Sequence, residues 1–453
     1  MREHVQHTAR FISECPRSPR VAAWLWLLMV GLLAGSLAGC DALDLATLAP
    51  TATRPPAPTA TPLPAPTAEA VVTDTGTITL SVWYPEHLDP LSDLPGGAAL
   101  AEQYRAFGEM YPDVRIAGRR FKASGPGGLL DYLLATSKVL PVGLPDLVLL
   151  DLRDLPQAAA LLQPLDGLWE SEPWGDYYPA AARQSRVEGR LLAVPYELDI
   201  RLLAYDAKLA EMPAAWPDGE AWPAPYLLPL GSPEAAAQAL LLQYPEGGDL
   251  DEAGRLVLDE GALAAALEYY RARHEQELLH TAALTTTNLA DCWELFVGGK
   301  VDLTETTAHL VLADEKGRAG VRCAPLPTRG GIAAPVLDGW AWAVLTGDDY
   351  RQQAASALIS WLMDEDNLAA RCVASGYLPS RQGALALIGD SPCLPTCELL
   401  LGLESTSVGS LDAALAPLLL AALQDVLAGN QSSAQAAAAV LAAATPRQVQ
   451  PPE

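Results

Sequence analysis

The segment Thr77-Ile-Thr-Leu-Ser-Val-Trp-Tyr alternates polar and apolar residues with period two and stops at Pro85, which marks it as a β-strand. A helical pattern follows over 98–111, then the extended stretch Asp113-Val-Arg-Ile-Ala. Gly125-Pro-Gly-Gly next leads into a helix over 129–137, and Pro145-Asp-Leu-Val-Leu-Leu-Asp reads as a short buried strand. Strands separated by helices need crossovers between them, so this order predicts an α/β fold with a parallel sheet covered on both faces.

The alternation continues. Arg190-Leu-Leu-Ala-Val-Pro-Tyr and Arg201-Leu-Leu-Ala-Tyr are extended, and Ala- and Leu-rich helices follow at 233–243 and 260–279. Helices at 289–298, 350–363 and 365–374 bracket the strand segments Val301-Asp-Leu-Thr, Val321-Arg-Cys-Ala-Pro and Gly339-Trp-Ala-Trp-Ala-Val. No repeat of fixed period is present, which argues against a solenoid or propeller. With 453 residues the chain exceeds what one core usually organises, and a tail with two domains is expected.

The N-terminal end has its own character. Arg2, Arg10, Arg17 and Arg20 precede an uncharged run from Val21 to Gly39, the order of an export signal; a run of that length also suffices for an uncleaved anchor. Leu37-Ala38-Gly39-Cys40 resembles the bacterial lipobox, which implies cleavage before Cys40 and lipid on its thiol. Residues 1–39 are therefore expected to be a lipoprotein signal peptide. Residues 40–76, rich in Pro, Thr and Ala, read as a stalk that extends at about 3.1 Å per residue. Residues 446–453 are expected to be a disordered tail.

Loss of residues 1–39 removes four Arg and two Glu, a net of +2, so the formal charge moves from −26 to −28. Such a surface repels phosphate backbones, and nucleic-acid binding is not expected. Cys292, Cys323, Cys372, Cys393 and Cys397 remain besides Cys40, an odd number for pairing. Cys393 and Cys397 are the closest pair, and the spacing suits either a disulfide or two buried thiols on a helix. No His or second Cys pair completes a metal site with them.

Eight segments occur in one order and together resemble family 1 extracellular solute-binding proteins, the sugar-type receptors of ATP-driven (ABC) importers. They are Tyr111-Pro-Asp-Val-Arg-Ile, Pro145-Asp-Leu-Val-Leu-Leu-Asp, Val187-Glu-Gly-Arg-Leu-Leu-Ala-Val-Pro-Tyr-Glu, Phe296-Val-Gly-Gly-Lys-Val-Asp-Leu with Ala324-Pro-Leu-Pro, Gly339-Trp-Ala-Trp-Ala-Val, Ala355-Ser-Ala-Leu-Ile-Ser-Trp-Leu and Ser375-Gly-Tyr-Leu-Pro-Ser-Arg.

The resemblance implies a two-lobed, periplasmic-binding-protein-like type II fold with crossing hinge segments. One lobe is expected from 77–197 with 328–374 and the other from 198–327 with 375–445. It further implies capture of a small-molecule ligand, read as carbohydrate, by hinge closure, and delivery to the transmembrane subunits of an ABC permease. The expected protein is a monomer without cofactor, on the extracytoplasmic face of the cell membrane through lipid on Cys40.

In open α/β sheets ligands sit beyond the carboxyl ends of the strands, and candidate contacts are sought there. Trp83 and Glu86 follow the first strand. Trp83 can face ligand or core, because alternation places it opposite Ile78, Leu80 and Val82. Asp151 ends the third strand. Tyr196 and Glu197 border the first crossing with Arg201, which can instead pair with Asp199 or Glu197.

Trp340 follows Asp338-Gly339, where Gly339 would let a ligand approach the backbone. Trp342 shares its face but reads as core. Tyr377 precedes Arg381, read as a structural clamp, and Glu305 stands where other sugar binders carry a stacking aromatic. Aromatic faces suit the C–H side of a sugar ring and carboxylates accept its hydroxyl protons. Gly125-Pro-Gly-Gly could leave amide groups free for an anion.

Catalytic constellations are not found. The mature chain holds His87, His274, His280 and His309 without a His-Glu-x-x-His motif, and Val297-Gly-Gly-Lys-Val lacks the spacing of a phosphate loop. No Gly-x-Ser-x-Gly occurs. A binding receptor is the leading expectation; a surface-tethered sugar-active hydrolase and a sensor subunit uncoupled from transport are the alternatives.

Overall fold

A computed structural model describes residues 77–94, 96–167, 174–212, 222–242, 258–314, 319–328, 335–403 and 415–444. The export segment 1–39, Cys40 with the stalk 40–76, and the tail 446–453 lie outside the described residues.

The chain begins with β1 (Ile78–Pro85), α1 (Gly97–Met110), β2 (Val114–Phe121), α2 (Leu129–Val139) and β3 (Leu147–Asp151). After α3 (Pro179–Gln184) and the hairpin β4 (Arg186–Val187) and β5 (Arg190–Leu191) comes the long strand β6 (Val194–Asp206). Next are α4 (Pro233–Leu242), α5 (Glu260–Glu275), α6 (Leu289–Val297), β7 (Leu303–Thr307), α7 (Ala308–Leu312), β8 (Val321–Ala324) and β9 (Leu337–Val344). The last elements are α8 (Asp349–Leu362), α9 (Glu365–Ser375), β10 (Leu378–Pro379), α10 (Leu394–Leu401), α11 (Leu415–Leu427) and α12 (Ser433–Ala444).

The main sheet has the order β10-β6-β9-β3-β1-β2. Only β1, β2 and β3 are parallel, each joined to the next by a helix as the spacing predicts. β9 runs antiparallel to β3 and to β6, so the sheet is mixed and the all-parallel expectation is corrected. The reason is connectivity: more than a hundred residues separate β6 from β9, so no short right-handed crossover dictates its direction.

β3 lies between β1 and β9 and is buried along its whole length, which is why its sequence is a continuous apolar run rather than an alternating one. Period two then sorts β1. Leu80 and Val82 join Phe107, Leu358 and Ile359 under α1 and α8, whereas Trp83 joins Leu129, Leu133 and Val148 under α2. Both faces are covered. Burial of a side chain such as Phe107, with no exposed surface, contributes about 1.5–3 kcal/mol.

β6 connects this assembly to the rest. Residues up to Ile200 pair with β9 and β10, whereas from Arg201 onward they pair with β7 and β8. The two extended stretches read from sequence are thus a small hairpin followed by one continuous strand with an irregularity between Pro195 and Glu197. The second half of β6 buries Leu203, Ala204 and Tyr205 in a separate apolar cluster with α4, α5, α6, α11 and α12. Segment 378–401 buries Leu378, Leu385, Cys397, Leu400 and Leu401 in the cluster of Trp83 and Val148.

Cys323 on β8 is disulfide-bonded to Cys393, which caps α10, with Cα atoms 5.0 Å apart. The suggested Cys393–Cys397 bridge is therefore corrected. One helical turn later, Cys397 points into the core and remains a thiol, as do buried Cys292 and Cys372. Sequence spacing favours near neighbours, but the partner comes from 70 residues away because α10 packs beside β8, where Thr396 also donates to the Cys323 carbonyl.

Candidate functional site

The carboxyl ends of β1 and β3, the start of β9 and the middle of β6 meet at one place. β1 ends in the turn Glu86–Leu88 and β3 in the turn Leu152–Asp154. In the register of the sheet, Trp340 on β9 stands opposite Asp151 on one side and Glu197 on the other, and Asp338 stands opposite Asp199. The end of β7 brings α7 to the same place, and the end of α9 brings Tyr377.

Tyr377 reaches it through a specific backbone device. Helix α9 is stopped by Gly376 at φ 79°, a left-handed conformation that other residues adopt at a cost. A Cβ there would also lie 2.6 Å from the Ala313 side chain and 2.7 Å from its backbone nitrogen, so α9 and α7 approach each other only because position 376 is glycine.

The ring of Tyr377 then stacks on His309 at 4.0 Å with 12° between planes. His87 sits edge-on to Trp340 at 4.8 Å and 6.2 Å from Tyr377. Four rings therefore form one partly exposed cluster.

Carboxylates flank it. Asp199 accepts hydrogen bonds from the backbone N–H groups of His309 and Ile200, both at 2.9 Å. Although part of its surface stays accessible, protein atoms ring the group, and desolvation pushes its pKa up to about 7, with Asp338 adding repulsion. Asp151 caps its turn by accepting from the Arg153 backbone, and holds the Arg153 guanidinium at 3.0 and 2.6 Å. The other side of that guanidinium reaches Asp338 at 3.2 Å. The histidines are kept neutral: burial, with His309 and Arg371 nearby, pushes His87 down to about 4, and burial likewise lowers His309. His87 Nε2 and His309 Nδ1 make no hydrogen bond within the protein.

Of the residues singled out from sequence, Trp340, Tyr377 and Asp151 belong to this cluster, and exposed Glu86 adjoins it beside His87. Four others are enclosed elsewhere. Trp83 packs against Phe121 at 4.6 Å in the core under α2. Tyr196 is fully buried beside Trp342, which is core as its depth suggested. Glu197, without exposed surface, accepts from Arg371 and Ser375, both at 2.9 Å.

Glu305 is bonded by Arg201 at 3.1 Å and Tyr226 at 3.4 Å; burial pushes its carboxyl pKa up while Arg201 opposes that. Arg201 thus pairs with Glu305 and Gln238, not with Asp199 or Glu197. Arg381 clamps Asp176, Glu365 and the Met363 carbonyl, in keeping with a structural role.

Two expectations about glycines change. A Cβ on Gly339 would meet the Glu197 carbonyl at 2.9 Å and Leu198 at 2.9 Å, so this glycine serves the close approach of β9 to β6 rather than of a ligand. In Gly125-Pro-Gly-Gly, the Gly127 amide donates to Asp131 at 2.8 Å and the Gly128 amide to the Gly125 carbonyl, so neither is free for an anion.

His87, His309 and Asp199 were not proposed as ligand contacts from sequence. The available signal was position: His87 follows the end of β1, and His309 the end of β7.

A sequence profile of bacterial extracellular solute-binding proteins matches residues 105–392, more than half of the chain. No similar sequence was found among curated proteins. Among solved structures, the sugar-binding protein MalE of Xanthomonas citri is 20% identical with a TM-score of 0.63, covering 80% of this chain and 95% of its own. Maltose-bound T. maritima MalE3 is 19% identical with a TM-score of 0.62, covering 80% and 98%. The cyclic α-maltosyl-1,6-maltose-binding protein of Arthrobacter globiformis is 19% identical with a TM-score of 0.63, covering 81% and 97%. At such identities these structures speak for the two-lobed α/β fold alone, while the profile match establishes the family: this chain belongs to the bacterial extracellular solute-binding proteins.

Proposed function

We propose that this chain is the receptor of an ABC importer, tethered by lipid on Cys40 to the outer face of a cell membrane, and that it captures a sugar or similar small polar solute for a permease. The observation that carries the reading is the convergence of Trp340, Tyr377, His87 and His309 with Asp199, Asp151 and Asp338 where β6 crosses between its two sets of partners.

Each component suits a polyhydroxylated ring. Trp340 and Tyr377 offer apolar faces to C–H groups, the carboxylates accept hydroxyl protons, and the unbonded imidazole nitrogens can accept or donate one more. Two structural relatives, the maltose-bound MalE3 and the cyclic α-maltosyl-1,6-maltose-binding protein, agree with that class.

We assign the first lobe to 77–200 with 335–401 and the second to 201–328 with 415–444, following the strand partners of β6 and the apolar clusters. Hinge bending near Ile200 and Arg201 then closes the cluster over its ligand, and only the liganded, closed form presents both lobes to a permease. Nothing in this scheme requires bond breaking, and the chain acts as a binder rather than an enzyme. A thermal-shift screen of mono- and disaccharides tests it: one or more sugars raise Tm and are recovered unchanged. Turnover of a stabilising sugar, or no shift with any sugar or polyol, refutes it.

A further inference from the structure

Like charges directly opposite each other in a sheet destabilise it. Asp199 on β6 and Asp338 on β9 nevertheless form such a pair, in an antiparallel register that sets their β-carbons about 5 Å apart with both side chains on one face. Glu197, Trp340 and Asp151 stand side by side one step further into the sheet, on the same face. Burial, and after it the charge of Asp338, push the Asp199 carboxyl towards its neutral form.

The cations that reach this face do not balance it. Arg371 donates to Glu197, and Arg153 divides between Asp151 and Asp338. Two guanidinium groups therefore meet four carboxylates, and Asp199 has no ion pair among the described residues. Burial keeps His87 and His309 uncharged, and Glu86 beside them is exposed and acidic. Glu197 supplies an independent sign. It has no exposed surface, yet its Oε2 finds no hydrogen-bond partner in the protein, and a buried acceptor in that position calls for a donor next to Trp340.

We infer that the solute of this site is an amino sugar or aminocyclitol, a polyhydroxylated ring whose protonated amine lies between Asp199 and Asp338 while the ring lies on Trp340. The inference rests on the receptor reading above and names its ligand class. An ammonium group donates three hydrogen bonds and cancels the repulsion between the two carboxylates; a sugar hydroxyl donates one and leaves the repulsion in place. Trp340 lies two residues along β9 from Asp338, about 7 Å, which a single pyranose with its amine spans, and an aromatic face adds attraction for the cation. A cation also restores the ionised form of Asp199 that burial opposes, a gain that no neutral solute obtains.

Isothermal titration of the full mature chain at pH 7 tests this with matched pairs: glucose and glucosamine, galactose and galactosamine, mannose and mannosamine. N-acetylglucosamine, which lacks the charge, and putrescine, which lacks the ring, serve as controls. At least one ring amine binds about tenfold or more tighter than its neutral parent, acetylation removes that advantage, and the ratio of the two affinities falls to about threefold or less in Asp338→Asn. Three results overturn the inference: a neutral parent that binds as tightly as its amine in every pair, an amine advantage unchanged in both Asp199→Asn and Asp338→Asn, or putrescine binding tighter than every ring amine. Neutral sugars bound without preference for the amine leave the receptor reading standing and sink the inference alone, whereas no binding of any solute sinks both.

Discussion

Burial disfavours the ionised form of Asp199, and the change Asp199→Asn measures how strongly. An Asn oxygen can still accept from the His309 and Ile200 amides, so the hydrogen bonds at 2.9 Å survive while the charge is removed. Burial raises the carboxyl from its ordinary 3.8 to about 7, which at about 1.4 kcal/mol per tenfold change in proton affinity sets a ceiling of about 4 kcal/mol.

The sign follows from linkage. With a folded pKa above the unfolded one, the folded protein holds the proton more tightly. The stabilising contribution of Asp199 is complete below about pH 4 and is lost as pH rises through about 7. After relaxation and solvent access we expect Asp199→Asn to be about 2 kcal/mol more stable than wild type at pH 8, with the gap closing towards pH 4. Urea unfolding at pH 4, 6 and 8 gives the comparison. Equal stability at pH 8, or a variant that is weaker there, would refute the reasoning. The same change should weaken ligand capture, since a poorly solvated carboxylate has most to gain from a ligand hydroxyl.

Other perturbations separate architecture from site. Arg371→Met leaves Glu197 charged and buried with only Ser375 to donate to it; a loss of about 3–5 kcal/mol in urea unfolding is expected, with much of it restored by adding Glu197→Gln. Gly376→Ala forces a β-carbon against Ala313 at a positive φ, and a loss of about 1–3 kcal/mol together with weaker ligand binding should appear in Tm and titration. Cys323→Ser opens a loop of 70 residues and costs about 2–4 kcal/mol, whereas buried Cys397 stays unreactive to maleimide in the native wild type.

Much of this fold is legible because local patterns agree with tertiary placement. The β1 segment alternates and has two covered faces; β3 is an uninterrupted apolar run and lies inside the sheet; α8 and α9 begin at Asp348 and Asp364, whose side chains cap them. The direction of β9 was not legible, since period two is the same for either direction. Nor was the Cys323–Cys393 pairing, which depends on where α10 packs rather than on spacing.

In the site, Trp340 and Tyr377 were found because an aromatic next to a strand end or glycine stands out. Glu197 and Glu305 looked equally apt, but buried arginines distant in sequence, Arg371 and Arg201, engage them. His87 and His309 went unassigned because a lone histidine carries no spacing signal. Their relation exists only through Tyr377 and Trp340 in three dimensions.

The central claim is that a small polar solute is held by the ring cluster at the crossing of β6. Isothermal titration of the most stabilising sugar into wild type, Trp340→Ala and Tyr377→Ala tests it most directly. The account predicts one site per chain and an affinity loss of about tenfold or more in each variant that remains folded. Unchanged affinity in both variants would place the ligand elsewhere and contradict the account.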